Sequence, residues 1–259
     1  MKKSTAYLLV VHGSRSFYYA QQLRQLANQI QSSLHSQNRS IPFITAYLEL
    51  AEKPLHEEII GFAREYALKG YQSIKVLPLF LLSGAHVLED IPEQLSLARA
   101  NSPLPIELVD CLGKFPDLVN VLRTQFLSAS NASNNNNNER ILLAHGTRLK
   151  QGQQELGELA DQLDAKVAYW SIEPNVIDVI KQIAVVSPQS SITVLPYFLF
   201  TGKITDTIVS QINELPESIT SKINILPTLA KNELFANLIT QYMLEVEERL
   251  MVKGQSSKV

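Results

Sequence analysis

Short, wholly apolar runs alternate along the chain with segments whose apolar residues recur every three or four positions. Ala6–Val11 is a continuous apolar run, the pattern of a strand buried on both faces. Leu23, Leu26, Ala27, Ile30 and Leu34 then follow at helical spacing. Ile41–Leu48 reads as a second strand. Leu55, Ile59, Phe62, Ala63 and Tyr66 mark a second helix, stopped at Lys69-Gly70. Ile74–Leu82 predicts a third strand, Val87–Ala100 a third helix, Pro105–Val109 a fourth strand and Leu118–Leu127 a fourth helix. From Arg140 the order repeats: strands at Arg140–Ala144, Lys166–Trp170, Ile192–Phe198 and Lys222–Leu226 alternate with helices at Leu156–Leu163, Val176–Val185, Ile204–Leu215 and Glu233–Met251. Alternating strands and helices with apolar strands predict an α/β fold of parallel sheets covered on both faces. Pro78 and Pro196 are at odds with central strands, so each should mark a strand end or a bulge.

The repetition extends to residue identity. Leu8–Arg15 reads LLVVHGSR and Ile141–Arg148 reads ILLAHGTR. Ala46-Tyr47 returns as Ala168-Tyr169, and Val76–Gly84 (VLPLFLLSG) as Val194–Gly202 (VLPYFLFTG). Three blocks in the same order imply an internal duplication and two similar α/β domains. Between the halves lies an asparagine tract. The expected division is therefore 1–127, a linker at 128–139, and 140–259. Asparagine runs bury no apolar area, so the linker should be flexible and exposed.

Composition adds exclusions. Twenty-three basic against twenty-five acidic residues give a net charge of −2, which argues against a general nucleic-acid binder. The single cysteine, Cys111, rules out an internal disulfide and a cluster held by cysteines of this chain alone, and reads as a buried apolar residue. No apolar run approaches a membrane span and the first residues lack a cleavage pattern, so a cytoplasmic protein is expected.

The polar residues that interrupt this pattern fall at strand ends. His12 follows the first strand, Glu49 and Glu52 the second, and His86 the third, just past Ser83-Gly84. Parallel strands end on one edge, where ligands of open α/β sheets bind. Two imidazoles and a carboxylate there suit a divalent first-row metal, and also supply a proton acceptor near neutral pH. The turn Gly13-Ser14-Arg15 carries a second reading, an anion cradle of backbone N–H groups and a guanidinium. The common nucleotide-binding glycine motifs are absent.

The blocks LLVVHGSR, AYLELAEKPL and VLPLFLLSGAHVLEDIPEQL together resemble the sirohydrochlorin chelatases of the class II chelatase group. The resemblance is dense over the first half, with the second as a degenerate copy. It implies two chelatase-like domains facing each other across a cleft, and ATP-independent insertion of Fe²⁺, or in a cobalamin route Co²⁺, into a reduced tetrapyrrole. It assigns metal and catalysis to His12, His86 and Glu49. Ser14, Arg15, Ser83, Gly84, His145, Arg148 and Lys203 become candidates for holding the substrate, and Glu52, Glu89 and Asp90 weaker site candidates, the last two for relaying metal. In the second half Ile204 stands where His86 does, and Ser171 aligns with Glu49, so the chemistry is expected in the first half. A divalent metal substrate, no permanent cofactor, no iron–sulfur cluster and a monomer complete the expectation. The rivals are a carrier that binds tetrapyrrole or metal without catalysis, and an anion-binding module.

Overall fold

The computed structural model describes residues 5–130 and 137–256. It contains two four-stranded parallel sheets with the same strand order. In the first, β1 (Thr5–Val11) lies between β2 (Phe43–Tyr47) and β3 (Ser73–Pro78), with β4 (Ile106–Leu108) outside β3. The crossovers are α1 (Phe17–Ser36), α2 (Leu55–Leu68), and a single π turn (His86–Asp90) that runs into α3 (Ile91–Arg99). The second sheet repeats this order as β6 (Lys166–Tyr169), β5 (Asn138–Ala144), β7 (Ser191–Pro196) and β8 (Ile223–Ile225). Its helices are α5 (Lys150–Gln162), α6 (Val176–Val186), α7 (Lys203–Asn213) and the short α8 (Glu217–Thr220). The alternation of strand and helix seen in the sequence is thus realised as two α/β layers of identical topology.

The predicted third strands end earlier than their apolar runs. β3 stops at Pro78 and β7 at Pro196, each paired to the second-last position of the central strand: Val10↔Pro78 and Leu143↔Pro196. Proline donates no ladder hydrogen bond, so it is placed where the ladder closes. The final bonds come from the next residue, Leu79 N–H to the Val10 carbonyl and Tyr197 N–H to that of Leu143, both at 2.7 Å. The apolar residues beyond, Leu79 to Leu82, form the loop that leads to the π turn.

The chain divides into two compact units that differ from the two sequence halves. One comprises Met1–Phe115 with Ala236–Val259, the other Pro116–Phe235. The last helix of each half is exchanged. Helix α4 (Leu118–Ser130) belongs to the unit of the second sheet, where the Arg140 guanidinium sits over the Phe126 ring and Arg123 donates to the Gln162 carbonyl. Helix α9 (Glu233–Ser256) belongs, from Ala236 onward, to the unit of the first sheet. There Tyr242 stacks on Phe115 with ring centroids 4.2 Å apart, and the buried Tyr7 hydroxyl donates to the Met243 carbonyl. The boundary at 127 is therefore not a packing boundary. An amphipathic helix reports that one of its faces is buried, not which sheet buries it.

The expected linker is also shorter than 128–139. Residues 128–130 end α4, and Asn138 begins β5; the middle of the tract, 131–136, lies outside the described residues. Asn138 accepts through Oδ1 from the buried Thr193 hydroxyl at 3.1 Å, which is a structural role rather than that of a spacer. Cys111 is buried, as its apolar reading requires. Among the described residues, no helix is long and apolar enough to cross a membrane.

Helix α9 carries a buried carboxyl into the first unit. Glu247 is 9% exposed and its Oε1 has no hydrogen-bond partner. Burial pushes its pKa above the ordinary 4.5, partly offset by Thr5. The folded state thus holds this proton more tightly than the unfolded chain, and ionisation above pH 4.5 costs stability. Glu247→Gln should therefore raise stability at pH 8, with the gain shrinking as the pH falls toward 4.5 and vanishing below it. Urea unfolding of both proteins across that range measures it.

Candidate metal centre

The site begins with a turn. Pairing of β1 with β2 continues past the strands, through Leu48 N–H to the Val11 carbonyl and Glu49 N–H to the His12 carbonyl at 2.9 Å. The two chains leave the sheet side by side, with His12 and Glu49 adjacent. Gly13 makes this approach feasible. Its φ is +109°, and a Cβ there would lie 2.0 Å from the Glu49 carbonyl oxygen. Any side chain would thus be excluded both by backbone conformation and by space. The Tyr19 hydroxyl reaches the Gly13 backbone from α1, and burial pushes its pKa up to about 12, so the phenol stays protonated at neutral pH. Directly after Glu49, the exposed Leu50 is held at φ +59°, a conformation that non-glycine residues adopt at a cost of roughly 1–2 kcal/mol.

His86 arrives from β3, at the start of the π turn. The ring centroids of His12 and His86 are 4.7 Å apart with an interplanar angle of 77°. Glu49 lies between them, Oε2 3.8 Å from His12 Nε2 and Oε1 4.0 Å from His86 Nδ1. One ligand atom from each of the three lies within 4.8 Å of the others, the one such group of histidine, cysteine and acidic residues among those described. The side chains are 46%, 48% and 35% exposed. That exposure leaves room for solvent or a further ligand on an ion held there. As simple ion pairs, contacts this long and exposed would contribute little. As three ligands with open positions, they match a metal site built for exchange rather than for permanent retention.

One tautomer follows from the backbone. His12 Nδ1 lies 3.2 Å from the Gly13 carbonyl, which can only accept, so Nδ1 carries the proton. Nε2, the atom facing Glu49, then presents a lone pair. A ring N–H given to a backbone carbonyl is the usual way a ligating imidazole is oriented.

The other residues singled out in the sequence lie around this centre or outside it. Ser14 accepts from the Ser16 N–H at 3.1 Å and Arg15 is exposed. Ser83 is buried, and the Gly84 carbonyl accepts from the N–H groups of Val87 and Leu88 at the start of the turn. Glu52 and Glu89 are exposed and stand outside the three-residue group. Asp90 is in contact with His86, its Oδ2 2.6 Å from Nδ1. The sequence offered a weak signal for that contact, the four-residue spacing on a helix. Tyr19 carried no sequence signal at all.

The second unit repeats the turn without the ligands. Gly146 has φ +99°, Ser171 N–H donates to the His145 carbonyl at 2.9 Å, and His145 Nδ1 lies 3.1 Å from the Gly146 carbonyl. Ser171 occupies the place of Glu49, as the sequence alignment expects, and its hydroxyl donates to the His145 carbonyl. His145, Arg148 and Lys203 are all exposed.

The CbiX family model matches residues 6–129 and 139–246. A sirohydrochlorin ferrochelatase of Priestia megaterium is 26% identical over 220 residues, 81% of this chain and 79% of its own. A sirohydrochlorin cobaltochelatase of Methanosarcina acetivorans is 35% identical over 97 residues, 38% of this chain and 68% of its own. The solved structure of SirB from Bacillus subtilis with Fe³⁺ superposes with a TM-score of 0.76 at 20% identity, covering 98% of both chains, which establishes a common fold.

Gly13 and the three ligands can be tested together with the metal alone. Gly13→Ala should destabilise the fold by at least about 1–2 kcal/mol and abolish Co²⁺ binding. Gly61→Ala, in the exposed interior of α2 with nothing within 4 Å of the new Cβ, should stabilise by about 0.5–1 kcal/mol. His12→Ala and His86→Ala should each weaken Co²⁺ binding at least tenfold, and His145→Ala should leave it unchanged. Isothermal titration calorimetry and urea unfolding provide the measurements.

With a matching family model across both repeats and a fold shared with SirB, the chain belongs to the CbiX family, the sirohydrochlorin chelatases.

Proposed function

We propose that this protein inserts a divalent metal ion, Fe²⁺ in the first instance, into sirohydrochlorin without a nucleotide, yielding sirohaem and two protons. The observation that supports it is the His12–Glu49–His86 group on the carboxyl edge of a sheet, in a member of this family. Metallation has two requirements. The ion must shed water without being trapped, and two pyrrole N–H protons must leave. Three exposed ligands meet the first requirement, because an incomplete shell holds the ion weakly enough to pass it on. The second is assigned to His12 Nε2, whose lone pair is available because Nδ1 donates to Gly13, and to the Glu49 carboxylate beside it.

The choice of iron rests on the ferrochelatase relative, which aligns with 81% of the chain. Cobalt insertion is the alternative, favoured by the more similar but shorter match to a cobaltochelatase. The ligand set suits both ions, so selection between them falls to metal supply. Ser14, Arg15, Ser83 and Gly84 in the first unit, with His145, Arg148 and Lys203 in the second, are assigned to the substrate's carboxylates, on charge and hydrogen-bonding capacity. The protein is taken to act as a monomer in the cytoplasm.

The absorbance change of sirohydrochlorin with Fe²⁺ or Co²⁺, with and without protein, tests the proposal. Acceleration with no nucleotide is expected. Binding without acceleration would favour a carrier. His86→Ala and His12→Ala should each lower kcat by about 10²–10⁴-fold, with Glu49→Gln next. His145→Ala and Arg148→Ala should raise KM more than they lower kcat. An inactive His145→Ala beside a near-normal His86→Ala would move the chemistry to the second unit.

A further inference from the structure

Asp90 lies one turn beyond His86, where an acidic residue is commonly explained by the positive end of a helix. The hydrogen bond it makes is a different one. Asp90 has φ −66° and ψ −47°, inside a helical run that begins at His86, and its side chain caps no backbone N–H. Its Oδ2 instead lies 2.6 Å from His86 Nδ1. The other carboxylate facing that nitrogen, Glu49 Oε1, is 4.0 Å away, beyond hydrogen-bond distance.

The local backbone is itself unusual. The Ile91 N–H bonds to the His86 carbonyl, an i+5 contact that widens the turn between His86 and Asp90. Single π turns of this kind recur at functional sites. The ring of Phe80 lies 6.0 Å from that of His86, tilted by 50°. The imidazole is therefore held by ring contacts with His12 and Phe80 and by one strong hydrogen bond.

The duplicated half provides an internal comparison. With the offset of 118 that relates VLPLFLLSG to VLPYFLFTG, His86 corresponds to Ile204 and Asp90 to Ile208. Ile208 is buried in the core of the second unit. The corresponding segment there is the regular helix α7. The copy without the histidine also lacks the aspartate and the π turn. The pair and its turn are present or absent together, as expected if Asp90 acts through His86.

We propose that Asp90 is a positioning residue for the metal centre: its carboxylate holds the proton of His86 on Nδ1, so that His86 presents Nε2 as its lone-pair atom. A carboxylate that only accepts fixes both the tautomer and the ring's orientation. Both histidines then offer the same nitrogen by different means, His12 through the Gly13 carbonyl and His86 through Asp90. This inference rests on the chelatase reading for its purpose, but its test does not need a tetrapyrrole.

The experiment is long-range ¹H–¹⁵N NMR of the uniformly labelled full chain at about pH 8.5, two units above the ordinary imidazole value of about 6.5. The His86 signals are assigned by their loss in His86→Ala. The wild type should show His86 as the Nδ1–H tautomer, and Asp90→Ala should shift it toward Nε2–H. Asp90→Asn, whose amide oxygen accepts the same proton, should retain Nδ1–H. Calorimetry with Co²⁺ alone should find affinity lowered about 10–100-fold in Asp90→Ala and within about threefold of wild type in Asp90→Asn. A wild-type His86 in the Nε2–H form overturns the assignment, whether or not the variants fold. So does an Asp90→Ala protein that keeps Nδ1–H, or one that binds Co²⁺ as wild type does. Failure of the chelatase reading would appear separately, as wild-type protein that fails to accelerate metallation of sirohydrochlorin.

Discussion

The two backbone hydrogen bonds that prolong β1–β2 pairing beyond the sheet are the constraint on which the candidate metal centre depends. They bring Glu49 against His12, and they demand a residue without a side chain at position 13. The parallel topology supplies the rest. Because β1, β2 and β3 all run the same way, three consecutive connections begin on one edge, and each can contribute one ligand. A proline at the end of β3 terminates the ladder and releases the chain into the loop that carries His86. Nothing in this arrangement needs ligands that are close in sequence. The sheet places residues 12, 49 and 86 within 4.8 Å by geometry alone.

The two units show how much of this scaffold is independent of chemistry. The second keeps the strand order, the positive-φ glycine, the histidine and the proline stop, yet Ser171 and Ile204 replace the other two ligands. The turn is therefore a property of the fold, and the His12–Glu49–His86 group is a local elaboration of it. The histidine persists at 145 with its Nδ1 on the same carbonyl as in the first unit, so the backbone orients that ring whether or not it has a partner.

Much of this was legible in the chain. The three repeated blocks specify two equivalent sheets, strand ends predict where His12, Glu49 and His86 meet, and Pro78 and Pro196 mark strand termini. Two features were not legible. The destination of α4 and α9 depends on which sheet offers a free apolar face, and periodicity carries no such address. The role of Asp90 depends on a π turn, whose i+5 bond leaves no clear mark in residue spacing. The same four-residue interval occurs between Glu65 and Lys69 on α2, where it makes an ordinary exposed pair. Only the atom at the other end of the hydrogen bond separates the two cases.

The exchange of terminal helices sets the order in which the protein is completed during synthesis. Residues 116–235 form a contiguous unit, so every part of it has been made before the segment from Ala236 onward. The unit bearing the candidate metal centre contains both the first 115 residues and the segment from Ala236 onward. Chains usually finish domains from the N-terminus as they leave the ribosome. Here the earlier-made sheet waits for a helix made after the whole second unit, with Tyr7 and Phe115 uncovered until α9 follows. A ribosome stalled at Ala236 would thus leave the second unit whole and the first sheet without its covering helix.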